Sequence, residues 1–311
     1  DLNDVDVVVL SGGGILYDRA EKNVDNYMAY IDHAVAAGKK AVVLGVGVQG
    51  IVTDQGRQRY QESLGKCEFV SVRTQEDAAM LKDIGVKAQA TFDIAYYTPD
   101  MVSSISKKPP LWRRHMLEKA TTTPDNGKPN IGICLSNLRA LKRDKYAGSV
   151  FERFDEVIDE FVDGAKDKFN IFIMQHGAED REITKSFATK HGVTFVSYKN
   201  IVDVPFFYRL HKSLDLMLGV RLHAISMGIM SGTPTIGVGS NGAKQKRLFD
   251  YALPSIQDQF FTFPQVEELH QRLQAIAKSG SIDTRSASTK DMKAIARLNQ
   301  KNLDLLKKLT S

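Results

Sequence analysis

Short apolar runs alternate with amphipathic segments along the first hundred residues. Strands are predicted at four continuous apolar runs of strand length: VDVVVL (5–10), AVVLGVGV (41–48), EFVSVR (68–73) and QATFDIAYY (89–97). Between them apolar positions recur at helical spacing, as in TQEDAAMLKDIG, where Thr74 suits a helix N-cap and Gly85 a C-terminal stop. Apolar strands separated by helices are typical of a parallel sheet covered on both faces.

The second half repeats this alternation after a proline-rich break at 98–129. Its predicted strands are NIGICLS (130–136), FNIFIMQ (169–175), VTFVSY (193–198), LDLMLG (214–219) and PTIGVG (234–239). We therefore predict an α/β protein of two doubly wound, Rossmann-like halves, with a ligand cleft between them at the carboxyl ends of the strands. The predicted parts are an N-terminal domain (1–105), a linker (106–129), a C-terminal domain (130–265) and C-terminal helices (266–311).

Composition excludes several classes of protein. The 311 residues are 42% hydrophobic and 25% charged, as in a globular protein. No apolar run reaches the roughly 18 to 20 residues of a membrane helix. The two cysteines, Cys67 and Cys134, have no metal-ligand spacing, so we predict no metal site and a reducing compartment. The formal charge of +5 is dispersed and no nucleic-acid motif accompanies it, so we predict no nucleic-acid partner.

Two glycine-rich loops follow the first two predicted strands. Gly12, Gly13 and Gly14 of SGGG can bring backbone N–H groups close to an anion. Gly47 and Gln49 of GVGVQG lie at the equivalent place after the next strand, and Gln49 is a candidate hydrogen-bond partner for a sugar hydroxyl. Tight strand-to-helix turns explain these glycines equally well, so both interpretations stay open.

An arginine and a histidine interrupt the apolar stretch GVRLHAISMGIMSG. Burying the guanidinium of Arg221 at a strand end is costly unless an anion meets it. If a helix begins near Leu222, its first N–H groups, the guanidinium and the imidazole of His223 all face one point. The pattern favours an anion site beside a titratable group.

Arg73 also ends a predicted strand, EFVSVR. Its guanidinium is a candidate for holding a carboxylate or phosphate in two parallel hydrogen bonds. The alternative is a structural ion pair with Glu76 or Asp77. Asp93, in TFDIAYY, is either an orienting partner for such an arginine or a helix cap.

Two further loops in the second half carry candidate anion ligands. Ser240, Asn241 and Lys244 lie in SNGAKQKR, directly after the last predicted strand, although a solvated basic helix start is equally consistent with this segment. Arg139 follows the strand NIGICLS and is a candidate for the same cleft, with a surface loop as the alternative.

Six motifs resemble, in their order along the chain, those of the polysaccharide pyruvyl transferase family: DVVVLSGGGILYD, LGVGVQG, FVSVRTQEDAAMLKDIGV, TFDIAYY, IGICLS and GVRLHAISMGIMSGTPTIGVGSN. The most specific is RLHA after a strand. The resemblance implies a two-domain fold of the GT-B glycosyltransferase type, with the acceptor side in the N-terminal domain and the donor side in the C-terminal one. We expect the family's first strand to be missing ahead of Asp1, and Thr74 stands where many relatives have an acidic residue.

The resemblance also implies an activity. A pyruvyl group would pass from phosphoenolpyruvate to two hydroxyls of a sugar in a glycan or lipid-linked saccharide, giving a cyclic ketal and phosphate. Arg221 matches the family's donor-binding arginine, His223 its catalytic histidine and Arg73 an arginine of the first domain. The enol carbon must be protonated before a hydroxyl attacks C2, so we expect His223 to supply a proton and Arg221 to neutralise the leaving phosphate. No metal and no cofactor are predicted.

Two other functions stay open. A nucleotide-sugar-dependent glycosyltransferase can use the same fold, but it needs a carboxylate that binds the ribose. A non-catalytic glycan-binding protein has little use for an intact pair of Arg221 and His223. We expect a cytoplasmic protein, with membrane association or the Golgi lumen as alternatives if an anchor precedes Asp1.

Overall fold

A computed structural model describes residues 2–18, 21–105, 124, 126–136, 148–197 and 204–310. The chain divides into two compact units, one formed by residues 1–96 with 292–311 and the other by residues 97–291. Each unit contains one parallel β-sheet with helices, which confirms the predicted α/β class. The sequence patterns did not indicate that the end of the chain belongs with its beginning.

The first unit is built on a four-stranded parallel sheet in the order β1-β2-β3-β4. Its strands and helices are β1 (Val7–Ser11), α1 (Glu21–Ala36), β2 (Lys40–Val46), α2 (Asp54–Leu64), β3 (Phe69–Val72), α3 (Gln75–Lys82) and β4 (Gln89–Ala90). In register, Val9 lies beside Val42 and Val43 beside Val70. Every residue of β2 after Lys40 is buried, which explains its uninterrupted apolar sequence.

Two local predictions in this unit have different outcomes. The side chain of Thr74 caps α3 by accepting the backbone N–H of Asp77 at 3.1 Å, as predicted. The predicted strand at 89–97 is wrong beyond Ala90, because Ile94–Tyr97 forms a 3-10 helix. The carboxylate of Asp93 accepts the Ala95 N–H at 3.0 Å and so stabilises a turn where the strand would continue.

The second unit contains a six-stranded parallel sheet in the order β10-β9-β8-β5-β6-β7. Its strands are β5 (Asn130–Cys134), β6 (Asn170–Met174), β7 (Thr194–Val196), β8 (Leu216–Gly219), β9 (Thr235–Gly239) and β10 (Phe260–Thr262). Its described helices are α4 (Thr98–Ile105), α5 (Gly148–Ala165), α6 (Arg181–His191), α7 (Val204–Lys212), α8 (Leu222–Ser231), α9 (Lys244–Ala252) and α10 (Val266–Ser279). Strand β10 was not predicted from the sequence.

Helices cover both faces of this sheet, as predicted for a doubly wound fold. On one face Phe154 of α5 and Leu273 of α10 belong to a large apolar core with the strands. On the other face Phe207 of α7 and Ala224 of α8 pack with Met217 of β8. The strand order is that of a dinucleotide-binding Rossmann sheet, with β5 and β8 at its centre.

The last helix, α11 (Thr289–Thr310), is fixed to the first sheet by buried polar side chains. Ser71 Oγ, on β3, donates to Asn302 Oδ1 at 2.8 Å, and Asn302 Nδ2 donates to the carbonyl oxygen of Phe92 at 3.0 Å. Asn299 Nδ2 donates to the carbonyl oxygen of Asp93 at 3.2 Å. Both asparagines are buried, so these hydrogen bonds replace contacts with water and determine where the helix lies.

Candidate functional site

The strand order of the second sheet places its switch point between β5 and β8. From β5 the chain continues through β6 and β7 on one side and then returns to β8, β9 and β10 on the other. In open α/β sheets, ligands bind at the carboxyl ends of the strands beside such a point. Arg221 follows the end of β8, and Ser136 follows the end of β5.

Helix α8 begins at Leu222, as predicted, with Arg221 as its N-cap residue. Gly219 lets the helix lie close to the strand, because a Cβ there would be 3.0 Å from Ile225 Cγ1. Leu222 and the residues from Ala224 to Ser226 are buried, whereas His223 is exposed. Arg221 makes no side-chain cap hydrogen bond to the first N–H groups of α8. The positive end of the helix dipole lies at this terminus, beside Arg221 and His223.

The guanidinium of Arg221 binds two carboxylates that sequence analysis did not single out. Arg221 Nε donates to Asp180 Oδ2 at 2.8 Å and Nη2 donates to Asp180 Oδ1 at 2.7 Å, a two-point contact. Nη2 also donates to Glu179 Oε1 at 2.7 Å. Burial by itself would lower the pKa of Arg221, but the hydrogen bonds and charge of Asp180 outweigh it and raise that pKa. The guanidinium is therefore permanently charged and held in one orientation.

The loop after β9 lies at the same edge of the sheet. Gln245 Nε2, in the first turn of α9, donates to the carbonyl oxygen of Val220 at 2.6 Å and so links this loop to the residue before Arg221. Ser240 and Lys244 are half-buried in this segment and Asn241 is exposed. The structure thus brings these three candidates to the same strand ends as Arg221 and His223. Arg139 lies outside the described residues.

Two histidines near Arg221 are a further feature that sequence reasoning missed. His176 follows the end of β6, and its ring centroid is 5.3 Å from that of His211 on α7. The Nε2 atom of each is buried without a hydrogen-bond partner. Burial, followed by the charges of His211, His223 and Arg221, holds the pKa of His176 well below its usual value. Burial lowers the pKa of His211 to about 4, so both rings are neutral at physiological pH.

The glycine-rich loops of the first unit bind each other. Gly12 and Gly13 have positive φ angles of 75° and 66°, which residues other than glycine rarely adopt. Gly47 N donates to the Gly13 carbonyl oxygen at 3.0 Å, and the side-chain amide of Gln49 donates to the Gly14 carbonyl oxygen. The turning role of these glycines is therefore visible directly, whereas their contact with a substrate stays a prediction.

Arg73 forms a buried ion pair with Asp93, which the sequence offered as an orienting partner for an arginine. Its Nη2 lies 2.9 Å from Asp93 Oδ2, and the two side chains are 8% and 7% exposed. Nε also donates to the carbonyl oxygen of Gly45 at 3.3 Å. Asp93 combines both roles that its position allowed, because its other oxygen caps the turn at Ala95. The ion pair therefore forms with Asp93, which follows β4, and not with the alternative partners Glu76 and Asp77.

The order of these motifs along the chain corresponds to one family. The sequence profile described as "Polysaccharide pyruvyl transferase" matches residues 2–242, which is more than half of the chain. The chain belongs to the polysaccharide pyruvyl transferase family. Among proteins of curated function, no sequence matches this family member.

Solved structures similar to this pyruvyl transferase family member show its fold. UDP-GlcNAc 2-epimerase from Methanocaldococcus jannaschii superposes with a TM-score of 0.55 at 11% identity, over 95% of this chain and 77% of that one. The Neisseria meningitidis UDP-GlcNAc 2-epimerase bound to UDP-GlcNAc gives a TM-score of 0.52 at 13% identity, over 96% of this chain and 78% of that one. These likenesses confirm the predicted GT-B-like fold of two Rossmann-like units.

The part of this family member that the structure describes lacks two features. No group of three or more histidine, cysteine, aspartate or glutamate side chains there is arranged to hold a metal ion. None of the helices in those residues is both long enough and apolar enough to cross a membrane. Burial raises the pKa of the Cys134 thiol at the end of β5, so it is not a thiolate nucleophile.

Proposed function

We propose that this chain transfers the pyruvyl group of phosphoenolpyruvate to two hydroxyls of a sugar in a glycan or lipid-linked saccharide. The product is a cyclic ketal, and phosphate is released. The observation that carries this proposal is the placement of Arg221 and His223 together at the start of α8, beside the switch point of the second sheet. Membership of the pyruvyl transferase family supports the same chemistry.

The donor fits this site because it carries two anionic groups. Its phosphate pairs with the guanidinium of Arg221, which Asp180 already holds in place. The N-terminal N–H groups of α8, to which Arg221 makes no side-chain cap hydrogen bond, favour negative charge at the same position. Ser240, Asn241 and Lys244, at the neighbouring strand end, are proposed to contact the donor as well. In the first unit, Gly12 to Gly14, Gly47, Gln49 and Arg73 are proposed for the acceptor side.

The reaction needs one acid and one stabiliser of the leaving group. Protonated His223 gives its proton to C3 of the donor, which becomes the methyl group, while the first sugar hydroxyl adds to C2. That hydroxyl's proton restores the protonated histidine. The C2–O bond to phosphate then breaks as Arg221 stabilises the leaving anion, and the second hydroxyl closes the ketal and gives its proton to the phosphate.

A thermal-shift titration tests the choice of donor. Phosphoenolpyruvate is added in parallel with UDP, GDP and CMP, because a ligand that binds the native state raises the melting temperature in proportion to RT ln(1 + [L]/Kd). We expect a shift with phosphoenolpyruvate that is lost in Arg221→Ala and kept in Arg272→Ala, a control that removes a partly exposed arginine of α10. A shift with a nucleotide alone would instead indicate glycosyl transfer.

The role of His223 is tested by turnover rather than by binding. We expect His223→Gln to bind phosphoenolpyruvate with nearly unchanged affinity and to lose at least about a hundredfold in phosphate release during ketal formation, the usual contribution of a general acid. Full turnover in this variant would exclude His223 as the acid while leaving the donor assignment intact.

A further inference from the structure

The two carboxylates on Arg221 differ sharply in their environment. The Asp180 side chain is 0% exposed, whereas that of Glu179 is 61% exposed. Both share Nη2 of the same guanidinium, each at 2.7 Å. Two acceptors on one nitrogen with such different access to water are expected to have different functions.

Asp180 is buried, and several hydrogen bonds hold its side chain and its backbone in place. Its two oxygens bind Nε and Nη2 of Arg221, and Oδ1 also accepts Ser136 Oγ at 3.2 Å. Its backbone is fixed too, because the carbonyl oxygen accepts Thr184 Oγ1 at 2.7 Å. Removing one partner of such a buried pair leaves an uncompensated charge, so this contact persists.

Glu179 is bound far more weakly. It contacts the guanidinium through Oε1 alone, and its carboxylate lies over Gly177, where a Cβ would be 2.9 Å from Oε2. The Glu179 carboxylate is mostly exposed, so water can solvate it almost as well as the guanidinium does. Glu179 can therefore leave Arg221 at small cost.

Charge favours this departure when an anion binds. One guanidinium and two carboxylates carry a net charge of −1, which repels a phosphate. Without Glu179 the pair of Arg221 and Asp180 is neutral, and Nη2 has room for another acceptor. The Nη1 group of Arg221 has no hydrogen-bond partner among the residues that the structure describes, so it can serve the same ligand.

We propose that Glu179 is a placeholder for the donor phosphate on Arg221 Nη2. It occupies this position until the donor binds and then turns towards water, while Asp180 keeps the guanidinium oriented. Glu179 therefore sets how tightly the donor is held and gives the site a preference for ligands that can displace a carboxylate. This inference rests on the proposed function, in which Arg221 binds the phosphate of phosphoenolpyruvate.

The test compares Glu179→Gln with Glu182→Gln, using isothermal titration with phosphoenolpyruvate and with inorganic phosphate at constant ionic strength. Glu182 is an exposed glutamate in the first turn of α6, so its variant makes the same change in net charge close to the site. We expect Glu179→Gln to bind both ligands about two- to fivefold more tightly, the range that an exposed ion pair represents. Glu182→Gln should stay within about twofold of the wild type, since screening weakens the effect of an exposed charge that makes no contact with Arg221.

Three results would overturn the inference, and they are distinguishable. Equal or weaker binding by Glu179→Gln, with binding still lost in Arg221→Ala, refutes the placeholder and leaves the proposed function standing. Equal tightening by Glu179→Gln and Glu182→Gln shows an effect of net charge alone. If neither phosphoenolpyruvate nor phosphate binds the wild type, the proposed function and the inference both fail. We expect the melting temperature of Glu179→Gln without ligand to equal that of the wild type, which would show that the gain in affinity does not come from a change in stability.

Discussion

Acidification should destabilise the second unit through His211. The ring is 0% exposed, Nδ1 bonds to the carbonyl oxygen of Phe207 at 2.7 Å, and Nε2 has no partner. Nδ1 therefore carries the proton of the neutral ring, and a second proton on Nε2 would be buried without an acceptor. This burial is why the pKa of His211 falls to about 4 in the native state.

The sign and size of the effect follow from proton linkage. The pKa in the unfolded chain is about 6.5, so between that value and about 4 the unfolded state binds more protons and acid favours unfolding. The stabilisation is complete above about pH 6.5 and is lost as the pH falls. For this one histidine the loss is about 2 kcal/mol at pH 5 and approaches about 3 kcal/mol below pH 4.

Urea unfolding followed by circular dichroism measures this loss. Wild type and His211→Asn are compared at several values between about pH 7.5 and about pH 5. The asparagine amide can keep the hydrogen bond to Phe207 but does not titrate, so its variant should lose about 2 kcal/mol less over this range. His176 is present in both proteins, and because burial rather than the charge of His211 is the main cause of its lowered pKa, most of its contribution cancels. Parallel pH profiles for the two proteins would refute this explanation.

Two further predictions concern packing. Gly228→Ala in α8 should lower the free energy of unfolding by about 1–3 kcal/mol despite the better helix propensity of alanine, because the new Cβ would lie 2.6 Å from Thr235 Oγ1. Gly164→Ala in α5 is the control and should not destabilise, since its Cβ meets a neighbour only at 3.6 Å. In the first unit, Asp93→Leu should lower the free energy of unfolding by about 3–5 kcal/mol, because it leaves the buried guanidinium of Arg73 without its counter-charge. Adding Arg73→Met should recover most of this loss. Urea unfolding measures both effects; equal losses in the single and double variants would contradict the second.

Much of the fold was predictable because its strands are buried on both faces. An uninterrupted apolar run such as AVVLGVGV indicates a central parallel strand without knowledge of its neighbours. The start of α8 was predictable for a related reason: a charged residue between an apolar strand and an apolar helix marks a boundary at Leu222. The extent of short elements was harder to predict, since β4 ends at Ala90 although its predicted strand continued to residue 97, and β10 was not predicted.

The partners of the charged side chains were harder to predict. Arg221 and Asp180 lie 41 residues apart, and for Arg73 the sequence offered Asp93 as a partner without excluding Glu76 or Asp77. Hydrophobic periodicity locates strands but does not show which polar loop residue folds back onto which strand end. For Asp180, the available signal was its place in a polar segment directly after a predicted strand, where parallel sheets collect functional groups.

The attachment of α11 to the first sheet has a consequence for how the protein is made. Ser71 and Asn302 are separated by 231 residues. During synthesis, the whole second unit is therefore made before the last helix of the first unit. At about 5–20 residues per second this delay is roughly 10 to 50 s. Throughout that time the buried acceptor of Phe92 and the hydroxyl of Ser71 lack their native partner. A separately expressed first unit would therefore need residues 292–310 restored, either by circular permutation or as a second polypeptide.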